Sequence, residues 1–66
     1  MIILKVIEVL SSSEISWEEA TRKAFSQAAK SFKNIRSVYV QEQRALVDDG
    51  QIKEFRVNVK LTFEIE

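Results

Sequence analysis

The chain has 66 residues, with no Cys, His or Pro and a single Gly, and its ten Lys+Arg balance ten Asp+Glu. This allows one small domain, residues 1–66, and excludes zinc knuckles, disulfide frameworks, thiol nucleophiles and imidazole bases. Zero net charge gives no field to gather nucleic acid or an anionic membrane, and Lys5 and Glu8 interrupt the longest apolar-rich run, so no signal peptide or membrane span is expected. A cytoplasmic globular domain is the expectation, near the size at which one core barely offsets chain entropy. With no disulfide or metal to help, self-association is the support left open.

Residues 2–10, rich in β-branched side chains, predict a strand. Ile2, Leu4, Val6 and Leu10 share one face, and Ile3, Ile7 and Val9 share the other. A strand apolar on both faces calls for cover on both. One side can pack on the chain's own helix; the other calls for a second subunit. Ser11, Ser12, Ser13 and Glu14 form a polar break. Ser16 at N-cap and Glu19 at N3 make a capping box, with Ile15 placed as a hydrophobic staple against Ala20. The helix is predicted over residues 17–33. Trp17, Ala20, Ala24, Ala28 and Phe32, with Phe25 and Ala29 beside them, form its apolar stripe. Glu18 and Glu19 near the start, and Lys30 and Lys33 near the end, suit the helix dipole. Asn34 is the stop signal.

Residues 36–47 read as a second strand whose phase slips, because Val38 and Val40 lie on one parity and Ala45 and Val47 on the other. A bulge near residues 42–44, or a strand partly covered on both faces, accounts for it. Asp49-Gly50 between β-rich runs predicts a hairpin. Phe55, Val57, Val59, Leu61, Phe63 and Ile65 then alternate with polar residues through the clearest strand of the chain. The order is β-α-β-β, an α+β fold. With a right-handed crossover helix, the third strand fits antiparallel between the first two.

Few residues suggest chemistry. The serines at 11–13 have no nearby base and no nucleophile-elbow glycines, and one Gly cannot build a phosphate loop. Asp48, Asp49 and Glu54 surround a turn, and calcium there would need ligands from symmetry copies. Trp17 reads as a side chain closing one end of the core rather than a stacking platform. The row Ser37, Tyr39, Gln41 and Gln43 offers a ring and amides that suit a planar polar ligand, or else pair across a subunit contact. Arg56, Asn58 and Lys60 are candidates to join it. With no acid–base pair or nucleophile evident, binding rather than catalysis is expected.

Three markers in order, Lys5-Val6-Ile7-Glu8-Val9, Ser16-Trp17-Glu18-Glu19-Ala20 and Glu42-Gln43-Arg44, resemble the dodecins across essentially the whole chain. The resemblance implies a β-α-β-β subunit with a three-stranded antiparallel sheet partly wrapping one helix. It also implies twelve copies in a hollow homo-oligomer, a dodecamer, with flavin (riboflavin or FMN) stored in niches between subunits. In the family pattern a Trp at the start of the second strand stacks on the flavin ring, and a Gln on the third strand bonds its polar edge. Here Ser37 stands at the first position and Arg56 at the second. Ser37 cannot stack, and Arg56 donates hydrogen bonds but accepts none. Tyr39, roughly 7 Å along the strand from Ser37, is the candidate replacement ring. The cofactor-binding set is therefore Ser37, Tyr39, Gln43 and Arg56. The alternative is a flavin-free oligomeric shell, either structural, or binding an anionic ligand through Arg44, Arg56 and Lys60, or a cation through Asp48, Asp49 and Glu54 at a symmetry axis.

Overall fold

The computed structural model describes residues 2–65. They form β1 (Ile3–Ser13), α1 (Trp17–Ala29), β2 (Ile35–Asp48) and β3 (Gln51–Ile65), the expected β-α-β-β order. β3 lies between β1 and β2 and is antiparallel to both. β1 pairs with β3 without a break, from Ile3 opposite Ile65 to Ser13 opposite Phe55. The strand thus continues through the serines that read as a polar break. Pairing partners on β3 override the weak strand preference of Ser. The chain turns only at Ser13, whose Oγ accepts a hydrogen bond from the Ile15 amide at 2.9 Å.

Ser16 caps α1 as expected, its Oγ accepting from the Glu19 amide at 3.0 Å. The predicted staple does not form: Ile15 is 74% exposed, and the turn at Ser13 sets the entry into the helix instead. The helix also ends at Ala29, four residues before the predicted end at Lys33. The amides of Ser31 and Phe32 both donate to the Ala28 carbonyl, at 3.0 and 2.9 Å, which closes the last turn. Phe32 packs on Phe63 with ring centroids 4.9 Å apart, and Asn34 takes a left-handed φ of 62° where the chain enters β2.

Ala20, Ala24 and Ala28 lie against Val57, Val59 and Leu61, and Ile7, Val9, Trp17, Phe32, Ile35, Val38 and Val40 pack around them. The alanines let the helix approach the sheet closely. Each of Val57, Val59 and Leu61 contributes about 1.5–3 kcal/mol by leaving water. Phe25 and Ala29, read as part of the stripe, remain exposed. The β2–β3 turn places Asp49 at φ 52° and Gly50 at φ 70°, the two positive values a two-residue hairpin turn requires. The hairpin runs past the end of β1, which gives extents of 51 × 19 × 13 Å.

Candidate ligand-binding site

α1 covers one face of the sheet and leaves the other bare. The bare face carries the even-numbered residues of β3 from Glu54 to Glu64, since their odd-numbered neighbours form the core. From β1 it receives Leu4, Val6, Glu8, Leu10 and Ser12, opposite Glu64, Thr62, Lys60, Asn58 and Arg56 respectively. From β2 it receives Ser37, Tyr39, Glu42, Arg44 and Leu46, opposite Thr62, Lys60, Asn58, Arg56 and Glu54. Leu4, Val6 and Leu10 are 54%, 55% and 70% exposed, an apolar row that nothing within the protomer covers.

Polar contacts stitch the rest of this face. Asn58 Nδ2 donates to Glu8 Oε2 at 2.7 Å, and Arg56 Nη2 to Glu54 Oε1 at 3.1 Å. Arg36 Nε donates to Glu64 Oε1 at 3.3 Å. A hydrogen bond from Ser12, and then one from Arg56, hold the Glu54 carboxyl below its ordinary pKa. Asn58 Oδ1 is buried and has no donor among the described residues.

The two-residue turn sets a register that the strands do not keep. An unbroken ladder continued from Asp48 opposite Gln51 would put Gln43 opposite Arg56. An irregularity between Leu46 and Val47 instead leaves Lys53 extra on β3, and one between Val40 and Glu42 leaves Gln41 extra on β2. Between these two points β2 is displaced by one residue relative to β3. Arg44 therefore stands opposite Arg56, and Gln43 lies opposite the core residue Val57 on the helix side.

This corrects the row read from the sequence. Ser37, Tyr39 and Arg56 share the bare face; Gln43 is on the other side, and Gln41 is the bulged residue. The bulge expected near residues 42–44 is present, at Gln41 beside Glu42. Ser37 and Tyr39 are adjacent on their face. Thr62, opposite Ser37, is six residues from Arg56, so Ser37 and Arg56 stand roughly 20 Å apart along the face within one protomer.

Trp17 closes the core. Its ring meets Phe55 edge-on at 5.0 Å, and its Nε1 donates to the Arg44 carbonyl at 3.1 Å. Asp48, Asp49 and Glu54 do not gather, and no cluster of three metal-ligating His, Cys, Asp or Glu side chains exists among the described residues. Two arrangements escaped the sequence reading, Arg44 facing Arg56 and Ser12 beside Glu54. The phase slip of β2 was a signal for the first. The compensating irregularity at Lys53 left none, because the alternation of β3 begins only at Phe55.

The family model for dodecins matches residues 3–66. The chain belongs to the dodecin family. Calcium dodecin of Mycobacterium tuberculosis is 32% identical over 65 residues, covering 98% of this chain and 92% of the relative. Among solved structures, the tt0972 protein from Thermus thermophilus superposes with a TM-score of 0.93 at 26% identity, covering 100% of this chain and 97% of its own. Dodecin from Streptomyces coelicolor gives 0.92 at 28% identity, with 98% and 93% covered. The M. tuberculosis calcium dodecin structure, described as having a novel calcium-binding site, gives 0.85 at 31% identity, with 97% and 91% covered. This dodecin shares their three-stranded antiparallel sheet and single helix. Among the described residues, no helix is long and apolar enough to cross a membrane.

Proposed function

We propose that this dodecin is a non-catalytic cytoplasmic binding and storage protein. It assembles from copies of itself, in the family manner a dodecamer, and holds a small planar ligand, a flavin (riboflavin or FMN), where bare sheet faces of neighbouring subunits meet. One observation carries the reading: the same face that exposes Leu4, Val6 and Leu10 also presents Tyr39, Lys60, Arg44 and Arg56. Burying the apolar row against another subunit brings the polar groups into a shared niche. The separation of Ser37 and Tyr39 from Arg56 supports a niche drawn from two copies. Gln43, on the opposite face, is not assigned to it.

Ser37 leaves the ring without its usual partner, and the loss of one aromatic pair is worth about 0.5–1.5 kcal/mol. Tyr39 offsets part of it. Titrating the protein with riboflavin and with FMN while following flavin fluorescence tests the reading. Strong quenching near one flavin per subunit supports it, and unchanged fluorescence into the micromolar range ends it. Ser37→Trp should tighten riboflavin binding by about tenfold; an unchanged affinity removes Ser37 from the niche. A monomer in light scattering rejects the assembly. A cation-binding alternative, which the calcium-dodecin relative raises, would draw Asp48, Asp49 and Glu54 from several copies at a symmetry axis, since within one protomer they form no cluster.

A further inference from the structure

This inference rests on the reading that the chain assembles from copies of itself, and it concerns a second pair of surfaces that meet. Past the pairing of Ser13 with Phe55, β1 has ended and the β2–β3 hairpin continues as a two-stranded arm. A two-stranded hairpin is marginal on its own in water. Residues 47–53 of the arm are all exposed. They include Val47 and Ile52, which pair across the ladder and are 67% and 57% exposed. Charges surround this apolar pair: Asp48 and Asp49 at the turn, and Lys53, whose Nζ donates to Gln51 Oε1 at 3.0 Å.

A groove of about 590 Å³ runs between α1 and the outer edge of β1. Val9 and Ala24 give it apolar surface, and Glu19, Arg22 and Lys23 charge its rim. The signs complement the arm, two bases and one acid here against two acids and one base there. Arg22 holds Glu18 at 2.9 Å, but both side chains are exposed and such a pair changes partners at little cost. Lys23 Nζ donates to the Ser12 carbonyl at 3.2 Å, which blocks that end of the β1 edge and keeps the ammonium beside the groove. Leu10 borders both the groove and the bare face, so a copy seated here continues the proposed bare-face contact. The arm cannot reach its own groove. Trp17 on Phe55 sets the start of α1 at the base of the arm, and more than about 20 Å separate the turn from Ser26 in the groove.

We propose that the hairpin arm of one copy seats in the α1–β1 groove of the next. Val47 and Ile52 meet Val9 and Ala24, Asp48 and Asp49 lie toward Arg22 and Lys23, and Lys53 lies toward Glu19. Covering the apolar pair supplies the attraction, and the matched charges select the groove over other surfaces. The contact is head-to-tail, so it builds a ring when its rotation closes. It differs in this from a bare face that meets its own copy.

The chain has no cysteine, so engineered thiols report the contact without background. In the double variant Gln51→Cys with Ser26→Cys, a short bifunctional thiol reagent should link chains into species larger than a dimer on denaturing gels. Either substitution alone should leave the chains unlinked, because the arm meets the groove and not another arm. Linkage of Gln51→Cys alone places arm against arm and overturns the proposal. An assembled double variant that stays unlinked overturns it too, whether its groove thiol reacts freely with the reagent or is shielded by another part of a neighbouring copy. A monomer in light scattering overturns the assembly reading itself. Charge supplies a separate arm, with circular dichroism confirming folded chains. Asp48→Lys and Arg22→Glu should each raise the concentration of half-assembly by about tenfold, and the two together should bring it back toward the parent value. Equal assembly in the parent and every charge variant overturns the proposed pairing of arm and groove.

Discussion

The two faces of β3 come from one alternating run, yet they have different fates. On the odd side, Val57, Val59 and Leu61 lose their water to Ala20, Ala24 and Ala28 within the same chain. On the even side, Arg56, Asn58 and Lys60 share a surface with Leu4, Val6 and Leu10 that no element of the protomer covers. The first face is settled by folding, and in the proposed assembly the second gains its partner only by association. Neighbouring residues on one strand can therefore answer to different free energies, one of folding and one of assembly.

Breaking the covered face should have the largest effect. Leu61→Ala, at a side chain with no exposure, is expected to cost about 2–5 kcal/mol, read from the midpoint of chemical denaturation. A loss below about 1 kcal/mol would show that the core closes over the gap. On the bare face, Leu10→Asp places a carboxylate where the proposed subunit contact lies, costing about 1–3 kcal/mol or more per contact. Light scattering should show smaller species while circular dichroism still reports a folded chain. An unchanged assembly would exclude Leu10 from the contact.

Smaller effects sharpen the contrast at its margins. Ser16→Ala removes the bond to the Glu19 amide that holds the start of the covering helix, at a cost of about 1 kcal/mol. Glu54, at the end of the bare face, gives the smallest effect. Its folded pKa is lowered, first by Ser12 and then by Arg56, so its contribution to stability is present above the ordinary carboxylate range. That contribution is lost as pH falls through the lowered value. Glu54→Gln should flatten the acid limb of denaturation midpoint against pH, and an identical limb would show that the group adds nothing.

Much of the fold was legible because it rests on local patterns. The alternation from Phe55 onward, the Ser16 cap and the Asp49-Gly50 turn are each determined by neighbours in sequence, and all three are where the sequence puts them. The misreadings lie where distant partners decide. Ser11 to Ser13 extend β1 because β3 offers them a ladder, and α1 stops at Ala29 as Phe32 turns to meet Phe63. Ile15 stays exposed because the Ser13 turn, rather than a staple, sets the helix entry.

At the candidate site the division is sharper. Ser37, Tyr39 and Arg56 were identified as residues of interest from the sequence, and the structure places all three on one face. Gln43 was grouped with them because strict alternation from Ser37 carries it there. The displacement between Gln41 and Lys53 moves it to the far side and puts Arg44 in its place.

By itself, the sequence determined the elements, their order, the helix-facing row and the family, because turn, cap and alternation are short-range and each is written in a few consecutive residues. Only the tertiary structure decided which side chains face one another. Register is a property of two strands at once, and a single extra residue on either exchanges every partner until a second one restores it. On that account Arg44 rather than Gln43 meets Arg56, and two guanidiniums rather than an amide and a guanidinium shape the proposed niche.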